Sequence, residues 1–163
     1  MNAIDLLDQQ HDEVEKLFEK FEAAGDNARK TKERLCREIS DALAIHAEIE
    51  EKIFYPESKQ ENTEEILRES VEEHLSMKRL IADLIESDPS DDQFDAKMKV
   101  LKEQVEHHVE EEEKELFPKV RKDLSKDELE DLGERMQTMA DDLEAEGAPS
   151  KNIPGQTDAP ADI

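Results

Sequence analysis

Glycine and proline are almost absent from the body of this chain, and where they do occur they act as punctuation: Gly25, Pro56, Pro89, Pro118 and Gly147. Apart from Gly133, the stretches between them are free of the residues that end or kink helices, and that constrains the chain to long helices. The spacing predicts helices over about 2–24, 28–57, 63–87 and 91–121, with a shorter fifth over about 126–145. Ser90 and Gln93 stand in capping-box spacing at the start of the fourth, and Ser125 and Glu128 do so at the start of the fifth. Gly133 lies inside the fifth, where it costs about 1 kcal/mol relative to alanine. No segment alternates with period two, so strands are not expected.

Charged residues make up 42% of the chain and aromatics only 4%, a balance that without apolar periodicity would suit a disordered protein. The periodicity is present. Leu7, Val14, Phe18 and Phe21 form one stripe, Ile39, Leu43, Ile53 and Phe54 a second, Leu67, Val71, Met77, Ile81 and Leu84 a third, and Leu101, Val105, Val109 and Leu116 a fourth. Four such stripes bury against one another in an all-α, up-down-up-down four-helix bundle, the short connections favouring antiparallel neighbours. Leu129, Leu132, Met136, Met139 and Leu143 give the fifth helix its own apolar face. The expected organisation is one domain over 1–146 followed by a disordered tail over 147–163, where GAPSKNIPGQTDAPADI has no periodic apolar content.

A formal net charge of −24 repels phosphate backbones and anionic lipid, which argues against nucleic-acid and membrane partners. No apolar run approaches the roughly 20 residues needed to cross a bilayer. The opening MNAIDLLDQQ lacks the blocks of a signal peptide, so a soluble, cytoplasmic protein is expected; the sequence leaves the oligomeric state open, with a monomer favoured. Cys36 is the only cysteine, which excludes an internal disulfide and any thiolate cage; it reads as a small residue near a core face.

Each stripe is broken where the next apolar residue should stand, and histidine fills each break. His11 lies between Leu7 and Val14, His46 follows Leu43, His74 lies between Val71 and Met77, and His108 follows Val105. Glu50 and Glu112 each stand four residues after a histidine, so imidazole and carboxylate project from one helix face a turn apart. Two inward carboxylates cost several kcal/mol each unless something neutralises them, and the inward stripes carry no Lys or Arg. A cation is the simplest compensation. The segments HAEIEEKIFYP and HVEEEEKELFP align in register, and the histidine pairs are spaced 35 and 34 residues apart, so two helical hairpins are duplicated. His11, His46 and Glu50 would come from one half and His74, His108 and Glu112 from the other, which suggests two metals. A mixed His/Glu set in a bundle suits iron or manganese, and iron is the expected metal. His107 has Glu111 four residues on and offers the alternative register, but it is rotated about 100° off the stripe and reads as solvated, as does the rest of the Glu110–Glu113 run. Tyr55 falls about 180° around the helix from His46, which places it away from the site.

His11, His46 with Glu50, His74, and His108 with Glu112, each hairpin's second motif ending in an aromatic and proline, resemble the hemerythrin-like, or HHE cation-binding, family over about residues 4–122. The resemblance implies a bundle holding two non-haem irons bridged by the two carboxylates and by oxo or hydroxo, with His11 and His46 on one iron and His74 and His108 on the other. Oxygen-carrying members have a further histidine on the third helix where this chain has Lys78, and their second carboxylate is usually an aspartate one residue further along than Glu112. The chain is thus similar to the four-histidine, two-glutamate branch. The expected function is a diiron protein that binds and reacts with oxygen, peroxide or nitric oxide, with catalase- or peroxidase-like turnover. The alternative is an iron or oxygen sensor, or an iron donor of the repair-of-iron-centres type.

Overall fold

The computed structural model describes residues 1–163 and is helical with no strand. Helix α1 spans Ala3–Ala23, α2 Arg29–Ile49, α3 Glu64–Glu86, α4 Asp92–Glu111 and α5 Lys126–Glu146. Beyond Ile49, α2 continues through a π turn at Glu50–Phe54 into the short helical segment Tyr55–Ser58. In the same way α4 continues through a π turn at Glu112–Leu116 into Phe117–Asp123. The helices pack as two hairpins, α1 with α2 and α3 with α4, and α5 lies against α1 and α2. No helix is long and apolar enough to cross a membrane.

Local chemistry accounts for the helix starts. The Asn2 side chain accepts from the Asp5 amide at the head of α1, and Ser125 and Glu128 form a reciprocal capping box on α5. The cap of α4 is one residue later than the Ser90–Gln93 spacing suggests, because Asp91 accepts from the Gln93 amide at 2.9 Å. Ser90 is engaged instead by the Asp88 carboxylate.

The buried apolar side chains form two clusters. One gathers Ile4, Leu7, Phe54, Leu67, Leu116 and their neighbours with α5; the other gathers Val14, Phe18, Ile39, Ile81, Phe94 and Leu101. His11, His46, His74 and His108 belong to neither cluster and lie between the positions in each helix that feed one and the other.

The chain after Gly147 is ordered, which corrects the expectation of a disordered tail. Gly147 at φ 77° and Ala148 at φ 46° turn the chain back on itself, and Pro149–Gln156 forms a 3-10 helix lying against α2 and α3. Ile153 is only 2% exposed and joins the second cluster, while Ala161 and Ile163 pack on the first. The Ser150 amide donates to Asp41 Oδ1 at 3.0 Å and Arg79 Nε donates to the Thr157 carbonyl at 3.0 Å. A strap fastened by one apolar anchor and two polar contacts needs no apolar period, and so the sequence pattern missed it.

Gly133 also has a packing reason. A Cβ there would sit 2.2 Å from the Met1 carbonyl oxygen and 2.8 Å from the Ala3 amide, so its bare backbone lets α5 lie directly on the start of α1. Gly133→Ala should therefore lower stability by about 1–3 kcal/mol although alanine is the better helix former by about 1 kcal/mol. Urea unfolding checks this, and an unchanged or raised midpoint would contradict the close approach.

Candidate metal centre

The two π turns begin at Glu50 and Glu112, the same place in each hairpin. Ten residues after His46 and His108 stand Pro56 and Pro118, each of which lacks an amide hydrogen and whose ring would clash with the carbonyl four residues back. The helix widens to accommodate them: the amide of Tyr55 donates to the carbonyl of Glu50, and that of Phe117 to Glu112, each five residues back. The added residue shifts the phase of everything beyond by about 100°. That rotation corrects the expectation for Tyr55. Its hydroxyl lies 3.0 Å from Glu112 Oε2, to which it donates, and 3.2 and 3.3 Å from the Nε2 atoms of His74 and His108. The signal in the sequence was the proline inside a helical stretch.

All six anticipated side chains come together and all are buried, Glu50 at 0% exposure and Glu112 at 1%. They form two groups able to hold a metal ion: His11, His46 and Glu112, and Glu50, His74 and His108. The carboxylates are thus exchanged relative to the assignment by halves. Each in fact reaches both histidine pairs. Glu50 Oε1 lies 3.0 Å from His46 Nε2 and 3.2 Å from His74 Nε2. Glu112 Oε1 lies 3.2 Å from His11 Nε2 and 3.3 Å from His108 Nε2.

The outer nitrogen of every imidazole has an acceptor. His11 Nδ1 meets Glu113 Oε1 at 3.0 Å and His46 Nδ1 meets Gln10 Oε1 at 2.7 Å. His74 Nδ1 meets Glu51 Oε2 at 2.8 Å and His108 Nδ1 meets Glu73 Oε1 at 2.9 Å. These oxygens can only accept, so each Nδ1 carries its proton and each Nε2 is the nitrogen turned to the centre. The arrangement follows the repeat: Gln10 and Glu73 precede the first histidine of each hairpin, whereas Glu51 and Glu113 each serve a histidine of the opposite hairpin. Glu113 is therefore not simply part of a solvated acidic face. Glu51 is held in turn by Lys78, whose Nζ lies 2.8 and 3.0 Å from its two oxygens at 7% exposure. Lys78 is thus a buried cation that the stripe pattern did not count. His107 remains outward, its side chain 66% exposed beside Glu73 and Glu111, as expected.

The chemistry of the donors fits a cation. His11 Nε2, His46 Nε2, both oxygens of Glu50 and Glu112 Oε1 are buried polar atoms without a hydrogen-bond partner, and they converge. Such atoms are costly unless a positive charge or proton sits among them. Burial opposes charge on His46, but Glu50 and Glu112 outweigh it and push its pKa up to about 9. Burial likewise opposes charge on His108, and Glu112, Glu50 and Glu73 drive it well above the usual histidine range. Burial would raise Glu50, yet His46 foremost holds it well below the usual carboxylate range. Burial, reinforced by Glu112 and Glu50, lifts the Tyr55 phenol well above its ordinary value, so it stays a donor.

Beside the four histidines lies a cavity of about 30 Å³, walled by apolar residues including Val14, Leu43, Met77, Ile81, Val105 and Ile153. One water-sized sphere occupies roughly 10–15 Å³ by this measure, so the space suits a ligand of two heavy atoms.

Bundle, buried His/Glu cage and oriented imidazoles together define a helical metal-binding protein. Residues 2–120 match the hemerythrin HHE cation binding domain, and the chain belongs to that family. A crystal structure of a hemerythrin HHE cation binding domain-containing protein from Mycobacterium kansasii superposes with a TM-score of 0.75 at 24% identity, covering 93% of this chain and 98% of that one. A DNA nickase from Nostoc sp. is 32% identical over 130 residues, 80% of this chain but 36% of that protein, so the chain spans little more than a third of that relative.

The raised pKa of His46 fixes a pH dependence for the metal-free protein. Because the folded value of about 9 exceeds the ordinary 6.5, the stability it contributes is present in full below pH 6.5 and is lost as pH rises through 9. Metal binding needs neutral imidazole and strengthens over the same range. The Tm of the metal-free protein should fall between pH 6.5 and 9, while the gap to the metal-loaded protein widens. Parallel thermal melts with and without metal check both trends.

Proposed function

We propose that this chain is a non-haem diiron protein that turns over peroxide, with His11 and His46 holding one iron, His74 and His108 the other, and Glu50 and Glu112 bridging them. The observation that carries the reading is the convergence of partnerless buried donor atoms from both carboxylates and two histidines beside a two-heavy-atom cavity. Two irons held there would supply two-electron redox chemistry toward peroxide, oxygen or nitric oxide. Each Nδ1 acceptor keeps its imidazole in the orientation that aims Nε2 inward. The apolar walls exclude bulk water, and Tyr55 holds a proton 3.0 Å from Glu112 Oε2.

Lys78 supports turnover over carriage. Where the oxygen carriers have a further histidine, this chain has Lys78 neutralising Glu51, so no fifth histidine would be available to a bound metal. The nicking activity of the Nostoc protein does not carry over: a net charge of −24 opposes approach to a phosphate backbone, and most of that protein lies beyond the matched region.

Protein from iron-supplemented cells should hold two irons per chain. Glu50→Ala and Glu112→Ala should each lose metal, His108→Ala should do the same, and His107→Ala should be nearly silent. Metal analysis decides; retention of two irons by both glutamate variants would remove the bridging assignment. On addition of hydrogen peroxide, one oxygen should be evolved for every two peroxides lost. A stable, reversible oxygen complex with no peroxide loss above that of free iron would sink the catalytic reading.

A further inference from the structure

One part of the cavity wall comes from beyond the fifth helix. Ile153 sits at 2% exposure on the 3-10 segment Pro149–Gln156, the only part of the cavity lining not contributed by α1 to α4. Its position is over-determined. Ala148 adopts a left-handed conformation at φ 46°, which a residue with a Cβ accepts only when its surroundings impose it. The strap is then pinned to α2 by the Ser150 amide on Asp41 and to α3 by Arg79 on the Thr157 carbonyl, so it bridges the two helices that carry His46 and His74. An isoleucine so held is a rigid, branched stop, and close-packed apolar walls do not yield to an oversized ligand at low cost.

We propose that Ile153 is a specificity-determining residue that limits the ligands of this centre to two heavy atoms, such as hydrogen peroxide, dioxygen or nitric oxide, and excludes bulkier ones. The inference rests on the reading of the His/Glu cage as a ligand-binding metal centre. Shortening the side chain at this position opens the cavity toward the strap without touching any proposed metal ligand.

The test compares the full chain with Ile153→Val and Ile153→Ala. Diferrous protein is titrated with nitric oxide, of two heavy atoms, and with nitrosobenzene, of eight, and binding is followed by absorbance. The ratio of nitrosobenzene to nitric oxide affinity should rise at least tenfold in Ile153→Ala, with Ile153→Val between. Independently of iron, zinc-loaded protein is placed under xenon and the methyl resonances of Met77, Ile81 and Val105 are recorded. Half-saturation should occur at least tenfold lower in xenon for Ile153→Ala than for the natural chain. The graded valine variant guards against loss of the whole strap, since its smaller cut leaves the anchor in place. Equal affinity ratios across the three proteins, or an identical xenon response, would overturn the proposal. A protein that binds nitric oxide but consumes no peroxide would count against the catalytic reading alone.

Discussion

Two carboxylates with essentially no exposure, reaching four imidazoles in the middle of a helical bundle, are the constraint around which the rest of this structure is arranged. Buried charge of this kind destabilises a small domain unless it is balanced on the spot. In the protein without metal the balance is provided by protons on His46 and His108, whose affinity for them is raised by the same carboxylates. A divalent or trivalent cation does the same work while satisfying the lone pairs that protons leave idle. The two apolar clusters above and below hold the cage closed and keep its dielectric low, and that is also what makes each charge–charge contact strong.

The backbone bends to the same need. A regular α-helix through Glu50 and Pro56 would carry a steric clash, and would leave Tyr55 facing away from the cage. The π turn removes the clash and, by the rotation it introduces, brings the only phenol of the chain against Glu112. The matching turn at Glu112 brings Phe117 into place, and its ring lies parallel to His11 at 6.0 Å between centroids. Irregular backbone here is the means by which residues one turn beyond the cage come to support it.

Much of this was legible in the sequence, for a definite reason. The helices, their faces and the six inward polar residues are all recorded in a period of 3.6, and a histidine in an apolar stripe stands out against it. What escaped was whatever breaks or lies outside that period. Tyr55 was missed because a regular helical phase was carried through Glu50–Phe54, where the proline that follows at position 56 widens the helix. Glu51, Glu73, Glu113 and Gln10 were missed because they approach the histidines from neighbouring helices, and the pairing of helices is not written in any single one. Lys78 was not counted because a lysine has no place in an apolar stripe and the carboxylate that neutralises it, Glu51, comes from another helix. The strap was missed because one isoleucine has no period.

The hairpin repeat has a consequence for how unlike the two halves of the centre can become. Glu51 and Glu113 cross over, each steadying a histidine of the other hairpin, so neither hairpin alone contains a complete cage. Two separate copies of one hairpin could build the same cage, but they would have to place the same side chain at both equivalent positions. Joined in one chain, the halves are free to differ: a phenol at Tyr55 answers a plain phenyl at Phe117, a carboxylate at Glu73 answers an amide at Gln10, and an ammonium at Lys78 has no counterpart across the axis. The centre is therefore unlike at its two ends, with a phenol, a lysine-paired carboxylate and a second carboxylate around His74 and His108, and an amide and one unpaired carboxylate around His46 and His11. Electrons and protons entering such a pair of metal positions would meet inequivalent destinations.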